Sequence, residues 1–235
     1  MVSETIVVGS IPTHLEYIDS FSQYCLLMSK YKAIFEYLQE LFPEAKTELR
    51  YTNDFQFLIA VMLSAQTTDT QVNKTTDKLF LVIKEPNDIE KMWITKLTKS
   101  ISSVNLYKTK AKHIFETAKL LSQQNNIIPN TFEELIKFPG VWEKTAKVVL
   151  HVLYKQWVIA VDTHVHRVAN RLGIVKTNSP LQTSKLLEKR IPKQYKDIAH
   201  DTIVLFWRYH CTARKPHCWT CKLQKICIWY KQNWE

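Results

Sequence analysis

Lys144, Asp162 and four clustered cysteines are the residues of this chain whose types and spacing suit chemistry. Lys144 follows Pro139-Gly140 by a few residues, in what should be the first turn of a helix. The positive end of a helix dipole disfavours an ammonium there and should lower its pKa. A neutral amine is a nucleophile, and a lysine amine can form a Schiff base with a sugar carbon. Asp162 stands just before an amphipathic run of Val165, Val168, Ala169 and Leu172, where aspartate is a favoured N-cap. A capping carboxylate is held rigidly, as a reacting one must be.

The cysteines read Cys211-x6-Cys218-x2-Cys221-x5-Cys227, with Cys25 standing apart. Four thiolates this close can enclose one metal centre, and zinc and [4Fe–4S] both suit four thiolates. Spacing alone does not separate the two. With all four used as ligands, none is left for redox catalysis, so the centre should be structural. Arg214, Lys215, Lys222 and Lys225 lie within the segment and Arg208 just before it. A metal-stiffened loop could hold such cations against phosphates, or they could offset the charge of the centre. Cys25 reads as a buried small residue or a spare thiol.

These groups need elements to place them, and the periodicity is helical almost throughout. Tyr31, Ile34, Phe35, Leu38, Leu41 and Phe42 mark one apolar face, ended by Pro43. A strongly apolar helix is expected at 54–65, and another, capped by Thr68 or Asp69, should run toward Phe80. Further helices are expected near 88–101, 107–123, 131–138, 143–155, 163–172, 181–190 and 197–210. The helices at 131–138 and 143–155 form a hairpin: Thr131 and Glu134 have capping-box spacing, and Pro139-Gly140 ends the first helix. The free N–H groups at the start of the second would attract a phosphate. The one extended run, 158–161, has no partner strand and reads as a connection. The fold class is therefore all-α.

Composition agrees and excludes some alternatives. A net charge of +10 suits a polyanionic partner such as nucleic acid. Only three glycines are present, so most glycine-rich phosphate loops, and a dinucleotide fingerprint, are excluded. No export signal or membrane-length apolar stretch is apparent, which points to the cytoplasm and away from membranes. Residues 1–27 read as a loosely attached extension, with a helical pattern beginning just after Met28.

Three motifs carry a family resemblance. Phe138-Pro139-Gly140-Val141 followed by Lys144-Thr145-Ala146 resembles the helix-hairpin-helix of DNA glycosylases. Val161-Asp162-Thr163-His164-Val165-His166-Arg167-Val168 resembles their aspartate motif, and Leu63-Ser64-Ala65-Gln66-Thr67-Thr68-Asp69 an upstream signature. In this order, from about residue 31 onward, they resemble the iron–sulfur endonuclease III family. The resemblance implies a two-lobed fold with a DNA cleft between the lobes. One lobe would be a six-helix barrel, 46–156, carrying the hairpin at 131–155; the other, 28–45 plus 157–235, would hold a [4Fe–4S] cluster on the four cysteines.

It further implies a glycosylase and AP lyase that removes oxidised pyrimidines from duplex DNA, working as a prokaryotic, nucleoid-associated monomer. Lys144 would attack the sugar, Asp162 would assist, Gln66 would fill the gap left by the extruded base, and Leu106 would wedge the helix open. Gly140, Val141, Trp142, Arg214, Lys215 and Lys222 would contact DNA. The chain departs from the family at Trp142 and Asn105, where glycine is usual, and Trp142 should weaken DNA binding relative to glycine. A mismatch-type monofunctional glycosylase is the nearer rival and a non-catalytic iron–sulfur DNA-binding module the further one. Lys144, and an end soon after Cys227, argue against the first; Lys144 with Asp162 argues against the second.

Overall fold

The computed structural model describes residues 21–234, and every regular element among them is a helix. The apolar side chains gather into two clusters. The first is built by α2 (Asp54–Ser64), α3 (Asp69–Leu79), α4 (Pro86–Met92), α5 (Ile94–Ser100), α6 (Tyr107–Ser122), α7 (Phe132–Leu135) and α8 (Glu143–Tyr154). Helix α2 is its axis: all nine residues from Phe55 to Leu63 are buried. Gln56 is the polar exception, and its amide is satisfied by donating to the Phe80 and Ile83 carbonyls while accepting from Thr52.

The second cluster joins α1 (Phe21–Leu41) to α9 (Thr163–Arg171), α10 (Pro180–Arg190), α11 (Lys196–Tyr209) and α12 (Ile228–Trp234). Ile34, Phe35 and Leu38 of α1 meet Val168, Ile203 and Phe206 here. Phe35 stacks on Tyr195 with ring centroids 5.0 Å apart. The segment from Lys155 to Asp162 passes between the clusters without regular structure: Val158 packs on the first, Trp157 and Ile159 on the second. Arg208 of α11 also crosses, donating to Asp69 Oδ2 at 2.8 Å and to Glu48.

Several expectations need correction. The single helix at 88–101 is two, broken at Trp93, whose φ of 63° is left-handed. The described residues between 46 and 156 therefore form seven helices in place of six. A reciprocal capping box of Glu85 and Asp88, with Pro86 at the first position, starts α4. Helix α1 already runs from Phe21, so the boundary at 27/28 falls inside it; residues 1–20 lie outside the described part of the chain. The hairpin's first helix is only Phe132–Leu135, and Thr131 donates its hydroxyl to the Glu134 carboxylate, 2.6 Å away, instead of forming a capping box. Helix α12 is an addition: with its seven residues it is too short for periodicity to reveal.

Candidate active site and cysteine cluster

The hairpin turn rests on Gly140. Its φ is +78°, and a Cβ there would meet His113 Cβ at 2.8 Å, so a side chain is excluded twice over. Thr117 donates to the Pro139 carbonyl at 2.9 Å, and Val141 is buried, anchoring the turn to the first core. Trp142 is the N-cap of α8 at φ −90°, backbone that any residue adopts, so the departure from glycine introduces no backbone strain. Its indole is 72% exposed. No side chain caps α8, which leaves its first N–H groups open to an anion.

Lys144 lies in that first turn, with Nζ 3.0 Å from Asp162 Oδ2. Asp162 caps α9: its Oδ1 accepts from the His164 and Val165 N–H groups, each at 2.9 Å. Burial pushes the Asp162 carboxyl up, but the Lys144 charge and the N–H donors outweigh it and hold it below the usual range. One turn on, Lys147 turns inward to Glu188 at 2.9 Å and Ser184 at 2.6 Å, so of the two lysines of α8 only Lys144 meets Asp162.

Lys144 and Asp162 open into a cavity of about 350 Å³ whose lining includes Gln66, Trp142, Asp69 and His200. Burial pushes the His200 imidazole down to about 4, keeping it neutral near neutral pH. The sequence analysis missed His200, because a single histidine in a helical run carries no signal of its own. Leu106 stands outside this cavity, 59% exposed at a φ of 56°. Asn105 has no left-handed backbone; the positive φ belongs to Leu106 and to Gln66. Lys110, also missed, is 7% exposed and has no carboxylate partner among the described residues.

Cys211, Cys218, Cys221 and Cys227 line a second, separate apolar cavity with Leu172, Phe206 and Trp229. Burial pushes the thiols of Cys211 and Cys218 up, and that of Cys221 to about 11. Arg171 leans on the group: its Nη1 is 3.6 Å from Cys211 Sγ, and its carbonyl accepts from Cys227 Sγ at 3.3 Å. Among the described residues, no three His, Cys, Asp or Glu side chains close on a point that would hold one metal ion. Four thiols lining one apolar space, with a guanidinium alongside, fit an anionic metal–thiolate centre, for which zinc and [4Fe–4S] are both chemically suited.

The surrounding cations divide. Arg214 and Lys215 are exposed. Lys222 is exposed but paired with Glu40, over the Tyr37 ring. Arg208 turns inward to its bridge and does not face outward with the loop. Cys25 is exposed, which removes the buried reading and leaves a spare thiol.

Residues 59–193 match the model of the HhH-GPD superfamily of base excision DNA repair proteins. Endonuclease III of Rickettsia felis is 44% identical over 198 residues, covering 84% of this chain and 93% of the relative. That of Bacillus subtilis is 40% identical over 190 residues, covering 80% and 87%. A solved trapped endonuclease III–DNA covalent intermediate superposes with a TM-score of 0.81 at 40% identity, covering 87% of this chain and 97% of that one. A thermostable thymine-DNA glycosylase shares the fold at 22% identity, with a TM-score of 0.77. No described helix is long and apolar enough to cross a membrane.

Proposed function

The chain belongs to the HhH-GPD superfamily of base excision DNA repair proteins, among the endonuclease III enzymes, and we propose that Lys144 and Asp162 are its reacting pair. It is a bifunctional DNA glycosylase and AP lyase. Its substrate is duplex DNA carrying an oxidised pyrimidine or an abasic site. The observation that carries the reading is the 3.0 Å contact between a lysine on an uncapped helix terminus and a carboxylate fixed by two backbone donors, at the mouth of a cavity.

The damaged nucleotide is extruded from the duplex toward this cavity. Lys144 Nζ, having passed a proton to water, attacks C1′; the new C1′–N bond forms as the C1′–base bond breaks, and the base leaves with the bonding pair and takes up a proton from water. Asp162 orients the amine and balances the positive charge developing on the sugar. Ring opening gives a protonated Schiff base, which acidifies the C2′ proton. Loss of that proton and departure of the 3′ phosphate complete β-elimination, and water later releases Lys144. Gln66 and Leu106 occupy the space the base vacates, while Gly140 and the terminus at Trp142 hold the phosphate backbone; Val141, buried and with its N–H donating to the Phe138 carbonyl, supports the turn from inside and does not contact DNA as the sequence led one to expect.

Two lobes divide this work: 46–156 forms the barrel, and α1 to residue 45 with 157–235 forms the other lobe, consistent with the two cores. When bound to Cys211, Cys218, Cys221 and Cys227, a [4Fe–4S] cluster would cross-link the C-terminal segment and supply no chemistry at the sugar. Arg214 and Lys215 then meet phosphates, with Lys222 joining only by leaving Glu40. The enzyme acts as a monomer in a prokaryotic cytoplasm.

Borohydride trapping on duplex DNA with one abasic site tests the reading. The expected result is a covalent adduct with the wild type and none with Lys144→Ala. No adduct from folded wild-type protein would overturn it in favour of a monofunctional enzyme or a binding module.

A further inference from the structure

Gln66 and Leu106 lie on segments forty residues apart, yet both have left-handed backbone with φ 56°. A strained, exposed pair of this kind persists only where its surroundings over-determine it. The surroundings are supplied by one short stretch, 105–110. Asn105 Nδ2 donates to the Gln66 carbonyl at 2.6 Å. Lys110 Nζ donates to the carbonyls of Leu63 at 2.7 Å and Ala65 at 2.6 Å, and to Thr67 Oγ1 at 3.2 Å. Four acceptors from Leu63, Ala65, Gln66 and Thr67 are thus taken up by two side chains flanking Leu106.

A lysine ammonium has three donors, and here each has an oxygen. The cation sits against the C-terminal carbonyls of α2, the negative end of that helix, which favours it despite burial. Burial pulls it down to about 8, so it remains charged at neutral pH. A 7% exposed lysine with no carboxylate partner is costly unless its hydrogen bonds are needed. An apolar side chain could fill this volume but could not hold three oxygens.

We infer that Lys110 and Asn105 are positioning residues that lock the Gln66 loop to the Leu106 turn, so that the two side chains enter the duplex as one preset probe. The inference rests on the roles proposed above for Gln66 and Leu106. Neither residue touches the reacting atoms. Their work is confined to opening the duplex and is not called on when the sugar is already accessible.

That difference supplies the test. Lys110→Met and Asn105→Ala are assayed for base removal from duplex DNA with one oxidised thymine, and for borohydride trapping on a single-stranded abasic oligonucleotide. The second needs Lys144 but no duplex opening, so trapping by the wild type checks the functional reading independently. Expected is a fall of about ten- to a hundredfold on the duplex with trapping retained, the scale on which mispositioning acts. Asn105→Ala alters an exposed side chain and guards against a folding failure of Lys110→Met. Equal loss on both substrates, or full duplex activity in both variants, would overturn the inference.

Discussion

The two oxygens of Asp162 are divided between α9 and Lys144: Oδ1 takes the two backbone N–H groups, and Oδ2 stands 3.0 Å from Lys144 Nζ. The capping and the charge can therefore be separated by substitution. Asparagine keeps an acceptor for the cap and removes the charge; alanine removes both. Asp162→Asn is expected to keep the cap and lose only the stabilisation carried by the ionised carboxylate, while base removal falls by at least ~100-fold. Asp162→Ala should lose about 1 kcal/mol of stability besides. Urea melts and single-turnover rates check this, and an active asparagine variant would refute a need for the charge.

Gly140→Ala tests the turn. With φ at +78° and His113 Cβ 2.8 Å from the added methyl, the hairpin must shift. The expected cost exceeds about 1 kcal/mol, with weaker DNA binding at equal salt. An unchanged urea midpoint would contradict the geometry.

Trp142→Gly removes an indole that is 72% exposed at the open start of α8. Since the backbone there is ordinary, the effect is steric, and glycine should let a phosphate approach. Binding to duplex DNA should tighten several-fold, on the order of 1 kcal/mol for one charge-assisted contact. Equal or weaker binding of the glycine variant at matched salt would count against a blocking indole.

His200 sets an acid limit. Its folded pKa of about 4 is depressed from 6.5, so the unfolded chain binds the extra proton first. Its contribution is full above about 6.5 and is lost as pH falls toward 4, a penalty approaching roughly 3 kcal/mol. Stability measured between pH 7 and 4 should fall less steeply in His200→Gln than in the wild type. Parallel curves would assign the acid loss elsewhere.

For the cysteines, iron and acid-labile sulfide with broad visible absorption are expected, together with loss of both in Cys218→Ser. Stoichiometric zinc in a colourless, folded protein would reverse the assignment.

Much of this arrangement was legible in the sequence because it depends on local signals. Pro139-Gly140 and the run after Asp162 mark two helix starts, and those starts bring Lys144 and Asp162 together. The cysteine spacing announced one site. What stayed hidden depends on long-range partners: Lys110 reads as an ordinary helical lysine until Leu63 and Ala65 fold against it. Arg208 reads as one more surface cation until Asp69 is placed beside it. The break at Trp93 has no glycine or proline to signal it, and the start of α1 lay outside the pattern that began after Met28.

The order of the two cores along the chain has a consequence for synthesis. The first is contiguous, with all its buried members between Leu49 and Leu150. The second closes only when Tyr31, Ile34, Phe35 and Leu38 meet residues near 199–206. On a ribosome, translating from the N-terminus, the barrel segment emerges whole and can collapse on itself. Helix α1, made before it, must wait with its apolar face uncovered until α11 has left the exit tunnel, so a helix translated ahead of the barrel is among the last to be buried.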